Sequence, residues 1–91
     1  MEKITYSALA GYLKQGREIE FVFNGRRYSI TNHAGFWNFC DDTDHILLSK
    51  LCRFDETEVL VSKIAETIVD DMKLSRIFDE GLYDAEGLYI L

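Results

Sequence analysis

The sequence predicts an α+β domain with an N-terminal helix, an antiparallel meander of three or four strands, and two C-terminal helices packed on one face. Apolar residues recur at helical spacing near residues 6–15 and 55–69, which predicts helices there. Between these segments an Asn-Gly pair joins two runs of alternating apolar and polar residues, which predicts a β-hairpin. Because 91 residues suffice for one core only, we expect residues 1–91 to form a single compact domain.

The first helix is predicted from about Tyr6 to Gln15. Thr5 is the expected N-cap, because a threonine hydroxyl accepts a hydrogen bond from a free backbone N–H of the first turn. Gly16 follows at the position where helices commonly end in a left-handed residue. The apolar face of this helix carries Tyr6, Leu9, Ala10 and Leu13.

Asn24 and Gly25 mark the hairpin turn, since a type I′ turn needs a positive φ at both central residues. A two-residue loop pairs Phe23 with Arg26 and fixes every pair behind them. One face of the hairpin is then apolar, and the alternate residues form a polar face. The apolar face carries Ile19, Phe21, Tyr28 and Ile30.

Two more strands are expected after the hairpin. A turn at residues 32–35 leads into a third strand at 36–40, and residues 41–44 form a polar loop. Residues 45–52 alternate like a strand but also space their leucines like a helix, so both alternatives are open. We favour a fourth strand, because a four-residue loop would return it beside the third.

The C-terminal third is predicted to be mainly helical. Asp55 is the expected N-cap of a helix that ends near Val69. Residues 73–80 form a shorter helix that stops before Gly81. The tail, residues 82–91, ends in β-forming residues and is expected to add an edge strand or to cover one.

The charge is uneven along the chain. Lys plus Arg number 10 and Asp plus Glu 16, for a net charge of −6, of which residues 1–45 carry −1 and residues 46–91 carry −5. Phosphate binding needs concentrated lysine and arginine, so we expect no direct binding to nucleic acid or to an anionic membrane. A basic protein surface is the expected partner.

The acidic residues on or beside the C-terminal helices predict the candidate partner-binding surface. One interpretation is that they are only the solvated faces of amphipathic helices. The other is that they form a continuous negative surface, spaced like phosphates, that occupies the basic nucleic-acid groove of another protein. The candidate residues are Glu66, Asp70, Asp71, Asp79, Glu80, Asp84 and Glu86. Trp37 joins them as an aromatic anchor if it faces outward.

The cysteines and histidines offer little chemistry. Cys40, Cys52, His33 and His45 match a zinc stoichiometry but lack the close pairs that wrap a tetrahedral ion. We therefore expect no metal, no cofactor and no catalytic residue, and both thiols free in a reducing cytoplasm. The N-terminal residues lack the apolar core of a signal peptide, and no apolar run approaches a membrane span, so we expect no membrane partner.

Two segments carry a family resemblance. The hairpin is EIEFVFNGRRYSITN over residues 18–32, and residues 69–80 run VDDMKLSRIFDE. The chain resembles a group of small uncharacterised α+β proteins of Gram-positive bacteria and their phages, in which a later helix leads into I-D-G-K-x-L-x-x-I-w-D-E. Here Asp71 replaces the glycine and Met72 is additional. The resemblance implies an α+β fold and a mobile-element context, and it implies no active site.

These observations favour a non-enzymatic, acidic protein-binding module. By analogy with small acidic phage proteins, we expect an inhibitor of a host defence or nucleic-acid-binding protein, in the manner of an anti-CRISPR. A second alternative is a small ligand-binding domain or enzyme accessory subunit that uses the region of His33, Cys40 and His45. A third is a homo-oligomeric structural protein that pairs through an open sheet edge at Leu88–Leu91. The chain is expected to be a monomer or a homodimer.

Overall fold

A computed structural model describes residues 2–91 and confirms the α+β class. The elements in chain order are α1 (Tyr6–Lys14), β1 (Ile19–Phe23), β2 (Arg26–His33), β3 (Phe36–Asp41), β4 (Ile46–Arg53), α2 (Thr57–Glu66), β5 (Ile68–Val69), β6 (Met72–Lys73), α3 (Leu74–Asp79) and β7 (Asp84–Ile90). Among these residues, no helix has the length and apolar character needed to cross a membrane.

The sheet has five antiparallel strands in the order β4-β3-β2-β1-β7. Asn24 and Gly25 have φ values of 51° and 75°, as a type I′ turn requires, and Phe23 pairs with Arg26 as predicted. The segment whose class was open is a strand, and it completes a four-stranded meander. The C-terminal tail adds the fifth strand beside β1, so β4 and β7 are the two edges.

One face of the sheet is covered by the helices and carries the core. Phe21 stacks on Tyr28 at a centroid distance of 5.4 Å and meets Phe78 of α3 edge-on at 5.3 Å. Leu9 of α1 and Leu60 of α2 are completely buried in the same cluster. We call the other side of the sheet the open face, because the helices described in residues 2–91 all contribute to the core on the covered side.

Both ends of α1 agree with the sequence prediction. The Thr5 hydroxyl accepts from the backbone N–H of Ala8 at 3.2 Å. Gly16, with φ of 82°, donates to Leu13 O, and Arg17 N donates to the carbonyl of Tyr12. This pair of bonds is the Schellman arrangement, in which a left-handed residue satisfies the last carbonyls of a helix.

Two predicted boundaries in the C-terminal third are wrong. The N-cap of α2 is Glu56 and not Asp55, and the Glu56 side chain turns back to accept from Arg53 N at 2.9 Å. The helix ends at Glu66, three residues before Val69. Thr67 leaves the helical conformation, and the next residues are β-branched, which favours an extended backbone.

The residues after α2 form a small hairpin. Strands β5 and β6 pair antiparallel, with Val69 opposite Met72. Asp70 and Asp71 make the turn with φ values of 49° and 66°. Aspartate tolerates this left-handed conformation better than most residues, so the two carboxylates are presented at the tip.

Candidate interaction surface

Several turns and strand ends meet at one end of the sheet. The β1–β2 turn lies there, and Asp42 N donates to Arg27 O at 2.8 Å, which brings the β3–β4 turn alongside. Asn24 Nδ2 donates to Asp70 Oδ2 at 2.9 Å, which adds the β5–β6 turn. Strand β7 begins there too, with its first residue opposite Val22. The aspartates gathered in this way, which we call the acidic end, are Asp41, Asp42, Asp44, Asp70, Asp71 and Asp84.

The electrostatics of the acidic end follow from this gathering. Burial raises the pKa of the Tyr28 hydroxyl, and the nearby charges of Asp70 and Asp41 raise it further. The carboxylates come from both halves of the chain. The negative charge therefore gathers at one end of the sheet, whereas the sequence predicted it on the C-terminal helices. Arg26 is occupied at the same end by Asp41 and Asp44, and these bonds raise its pKa.

Three of the predicted acidic residues do not extend this surface. Glu66 pairs with Lys73 at 2.8 Å, and Glu80 pairs with Arg76. In each pair the nearby cation neutralises the carboxylate charge. Asp79 Oδ1 accepts from the backbone N–H of Tyr6 at 2.8 Å and so satisfies a free donor in the first turn of α1. The expected continuous face along the C-terminal helices is therefore interrupted.

The remaining acidic predictions divide between two places. Asp70, Asp71 and Asp84 belong to the acidic end. Glu86 is exposed in the middle of β7, where the pairing with β1 is interrupted between Glu20 and Val22.

Trp37 does not face outward. Its side chain is 0% exposed, and Nε1 donates to Phe54 O at 3.0 Å while the two rings stack at 5.6 Å. The aromatic strand places alternate residues on opposite faces, and Trp37 falls on the covered one. Trp37 was proposed as an aromatic anchor only if it faced outward, and it is instead a core residue.

The structure does not assemble His33, Cys40 and His45 into one site. His33 and Cys40 both line a depression of about 430 Å³ on the open face. They lie roughly 13 Å apart along the sheet, since Cys40 is four residues from Phe36, the partner of His33. His45 lies at the acidic end, in the β3–β4 turn.

The chemistry of the thiols agrees with this separation. Cys40 and Cys52 are both free. Burial raises the pKa of the Cys40 thiol, and the charge of Asp42 adds to the effect, which disfavours the reactive thiolate. Within residues 2–91, no three His, Cys, Asp or Glu side chains lie close enough to hold a metal ion.

Edge strand β4 carries a feature that the sequence left unresolved. Ile46, Leu47 and Leu48 are 48%, 58% and 48% exposed, although all three are large and apolar. The signal was present as three consecutive apolar residues directly after a polar loop. Their exposure could not be predicted while helix and strand were both open, because on a helix at least one of these residues would face the core.

Comparison with known proteins adds nothing to this description: no family model, curated protein or solved structure matches the chain.

Proposed function

We propose that the protein is a non-enzymatic binding module that docks its acidic end on a basic protein surface. The observation that carries the proposal is the convergence of carboxylates from separate turns at one end of the sheet. The exposed members are Asp44, which is paired with Arg26, and Asp70, Asp71 and Asp84. Gathering like charges opposes folding, and a basic partner would relieve that repulsion.

Among residues 2–91, none of the ion pairs involves Asp70 or Asp71 at the tip of the β5–β6 hairpin. Lys63 donates to Leu51 O at 2.6 Å, and Lys73 and Arg76 pair with glutamates. Asp70 is held by the neutral amide of Asn24. Its negative charge therefore remains available to an incoming cation.

Exposed apolar side chains accompany the acidic end and favour a protein as the partner. Ile68 is 57% exposed and lies two residues before Asp70; Leu82 is 44% exposed and lies two residues before Asp84. Protein interfaces commonly combine a few apolar anchors with a polar rim. A partner that offers only cations would leave these side chains in water.

The finer form of the proposal names the partner as the nucleic-acid-binding groove of a host effector. The net charge of −6 and the resemblance to phage proteins support it. An inhibitor of this kind competes with nucleic acid for one set of lysines and arginines. Association would be fast and would slow as salt screens the charges.

The test compares two matched double variants with the wild-type chain. D70N/D71N removes two charges at the acidic end, and asparagine tolerates the left-handed backbone there as well as aspartate does. D55N/E58Q removes two charges beyond the opposite end of β4. The bait chains capture partners from a host lysate at ionic strengths of about 0.01 M and about 0.15 M, where the Debye length falls from about 30 Å to about 8 Å.

We expect D70N/D71N to lose most of the capture at low ionic strength and D55N/E58Q to behave as wild type. Once the captured partner is purified, its association rate with the wild-type chain should fall as the salt concentration rises. At low salt, D70N/D71N should lower this rate and D55N/E58Q should not. Equal capture by the two double variants would exclude the acidic end as the docking surface. Duplex DNA that fails to compete for the purified partner would exclude the finer form alone.

A further inference from the structure

The outer edge of β4 is closed at one end and open at the other. Lys63 Nζ donates to Leu51 O at 2.6 Å, and Arg53 N donates to Glu56 Oε1 at 2.9 Å, so side chains occupy the backbone groups after residue 50. In the described part of the chain, no side-chain hydrogen bond reaches the backbone of residues 46–50. An open edge of this kind is a template for another strand.

The open segment is also the most apolar exposed part of the sheet. Strand β3 pairs Cys40 with Leu47 and the preceding residue with Ser49, so Leu48 is the extra residue of a β-bulge. The bulge exposes Leu48 next to Leu47, and Ile46 precedes them. Three adjacent exposed apolar side chains on an unpaired edge are costly in water.

We propose that a second copy of this chain docks on this edge, with β4 of each copy antiparallel to β4 of the other. Such a dimer is isologous, because the same segment serves both sides of a two-fold axis. An axis at Leu48 pairs the two open segments, with Ile46 of one copy opposite Lys50 of the other and Leu47 opposite Ser49. The exposed leucines of the two copies then cover each other.

Charge complementarity favours a second copy in this orientation. The segment begins beside Asp42 and Asp44, the second of which also pairs with Arg26 of its own chain, and continues to Lys50 and Arg53. Antiparallel pairing brings the acidic turn of each copy beside the basic half of the other strand. It also points the two acidic ends away from each other, which limits repulsion between chains of net charge −6.

The dimer brings Asp42 and Asp44 beside the second copy, but it leaves Asp70, Asp71 and Asp84 of the proposed docking surface free. In the strand order β4-β3-β2-β1-β7, Asp84 lies on the opposite edge, and Asp70 is bonded to the turn after β1. The open segment spans about five residues, well below a standard-size interface, so the dissociation constant should lie between about 1 µM and about 1 mM. Self-association therefore leaves Asp70, Asp71 and Asp84 available to the partner proposed above.

Sedimentation equilibrium of the full chain from about 10 µM to about 1 mM tests the proposal. The weight-average mass of the wild-type chain should exceed the mass of one chain and rise with concentration toward the mass of two. Leu47→Glu should weaken the dimer by at least about tenfold, because a charge then lies at the interface centre. Tyr89→Glu, on the other edge and 55% exposed in the wild-type chain, should leave the dimer unchanged.

A second variant tests the register directly. Opposed residues in an antiparallel pair have Cα atoms about 4.5–5.5 Å apart, within disulfide range. Leu48→Cys should therefore give a disulfide-linked dimer on mild oxidation, while the wild-type chain, with Cys40 and Cys52 only, and Tyr89→Cys should not. A single-chain mass at every concentration overturns the proposal. So does a dimer that Tyr89→Glu abolishes and Leu47→Glu leaves intact.

Discussion

Arg26, whose side chain is 40% exposed, holds the buried carboxylate of Asp41 in an ion pair at the acidic end. Arg26 Nη2 and Nε lie 3.0 and 3.2 Å from Asp41 Oδ2. The Asp41 side chain is only 7% exposed, and its other oxygen accepts from the backbone N–H groups of Thr43 and Asp44. One carboxylate thus joins the β1–β2 turn to the β3–β4 turn and orders the acidic end.

The protonation of Asp41 is coupled to folding. Burial alone would raise its pKa, but the backbone N–H of Asp44, the Arg26 guanidinium and the backbone N–H of Thr43 outweigh burial and hold the pKa below its ordinary value of 3.8. Below that value the unfolded chain binds this proton more readily than the folded chain does. The stabilisation is therefore complete above pH 3.8 and is lost as the pH falls through the folded-state pKa.

We expect Asp41→Asn to lower the free energy of unfolding at neutral pH. The amide keeps an oxygen for the turn but replaces the oxygen that faces Arg26. In the variant, the free energy of unfolding should also depend less on pH in the acid range, because the carboxyl group with the lowered pKa has been removed. Urea unfolding between about pH 2 and about pH 6 measures both effects.

Asp55→Asn is the matched control, since it removes one exposed carboxylate from the opposite end of the molecule. Its unfolding curve should follow the wild-type curve at every pH. An Asp41→Asn chain that keeps the full wild-type acid dependence would contradict the coupling between this pair and folding.

Gly87 lies where β7 crosses closest to β1. A Cβ at this position would be 2.5 Å from Val22 Cγ2 and 2.9 Å from Val22 Cβ, and the stiff valine side chain cannot turn away. We expect Gly87→Ala to cost about 1–3 kcal/mol through overpacking. Combining it with Val22→Ala should restore much of that loss, which a double-mutant cycle of denaturant unfolding would measure as coupling.

Gly11 provides the control for this prediction, because a Cβ there meets nothing within 4 Å and the residue lies inside α1. Gly11→Ala should stabilise the protein by about 0.5–1 kcal/mol. If Gly87→Ala stabilised the protein as well, the close approach of β7 to Val22 would be excluded.

The parts of the fold that the sequence predicted are those with local causes. Asn24 and Gly25 accept positive φ values, and the hairpin register follows from the length of their loop. The β5–β6 hairpin was missed because Ile68 continues the helical spacing of Ile64 and Ala65, while Asp70 and Asp71 are a less specific turn signal than Asn-Gly. Periodicity alone does not mark the point where a helix gives way to β-branched residues.

The acidic end was predicted only in part, because pairing between distant strands creates it. Asp41 lies opposite Tyr28, and that register brings its carboxylate to Arg26. No local pattern separates such a buried aspartate from its exposed neighbours. Net charge along the chain located the C-terminal contribution, but it did not show that Glu66 would pair with its own Lys73.

Trp37 provides a last prediction that separates stability from binding. Trp37→Phe removes the hydrogen bond to Phe54 O and leaves a small cavity in the core. We expect the free energy of unfolding to fall by about 1–3 kcal/mol, measured by far-UV circular dichroism because the variant lacks the only tryptophan. Phe54→Leu keeps the carbonyl and loses only the ring stacking, so its cost should be smaller.

Partner capture well below the unfolding midpoint should match wild type in both variants. A stable Trp37→Phe chain that no longer captures the partner would instead show that Trp37 contacts it.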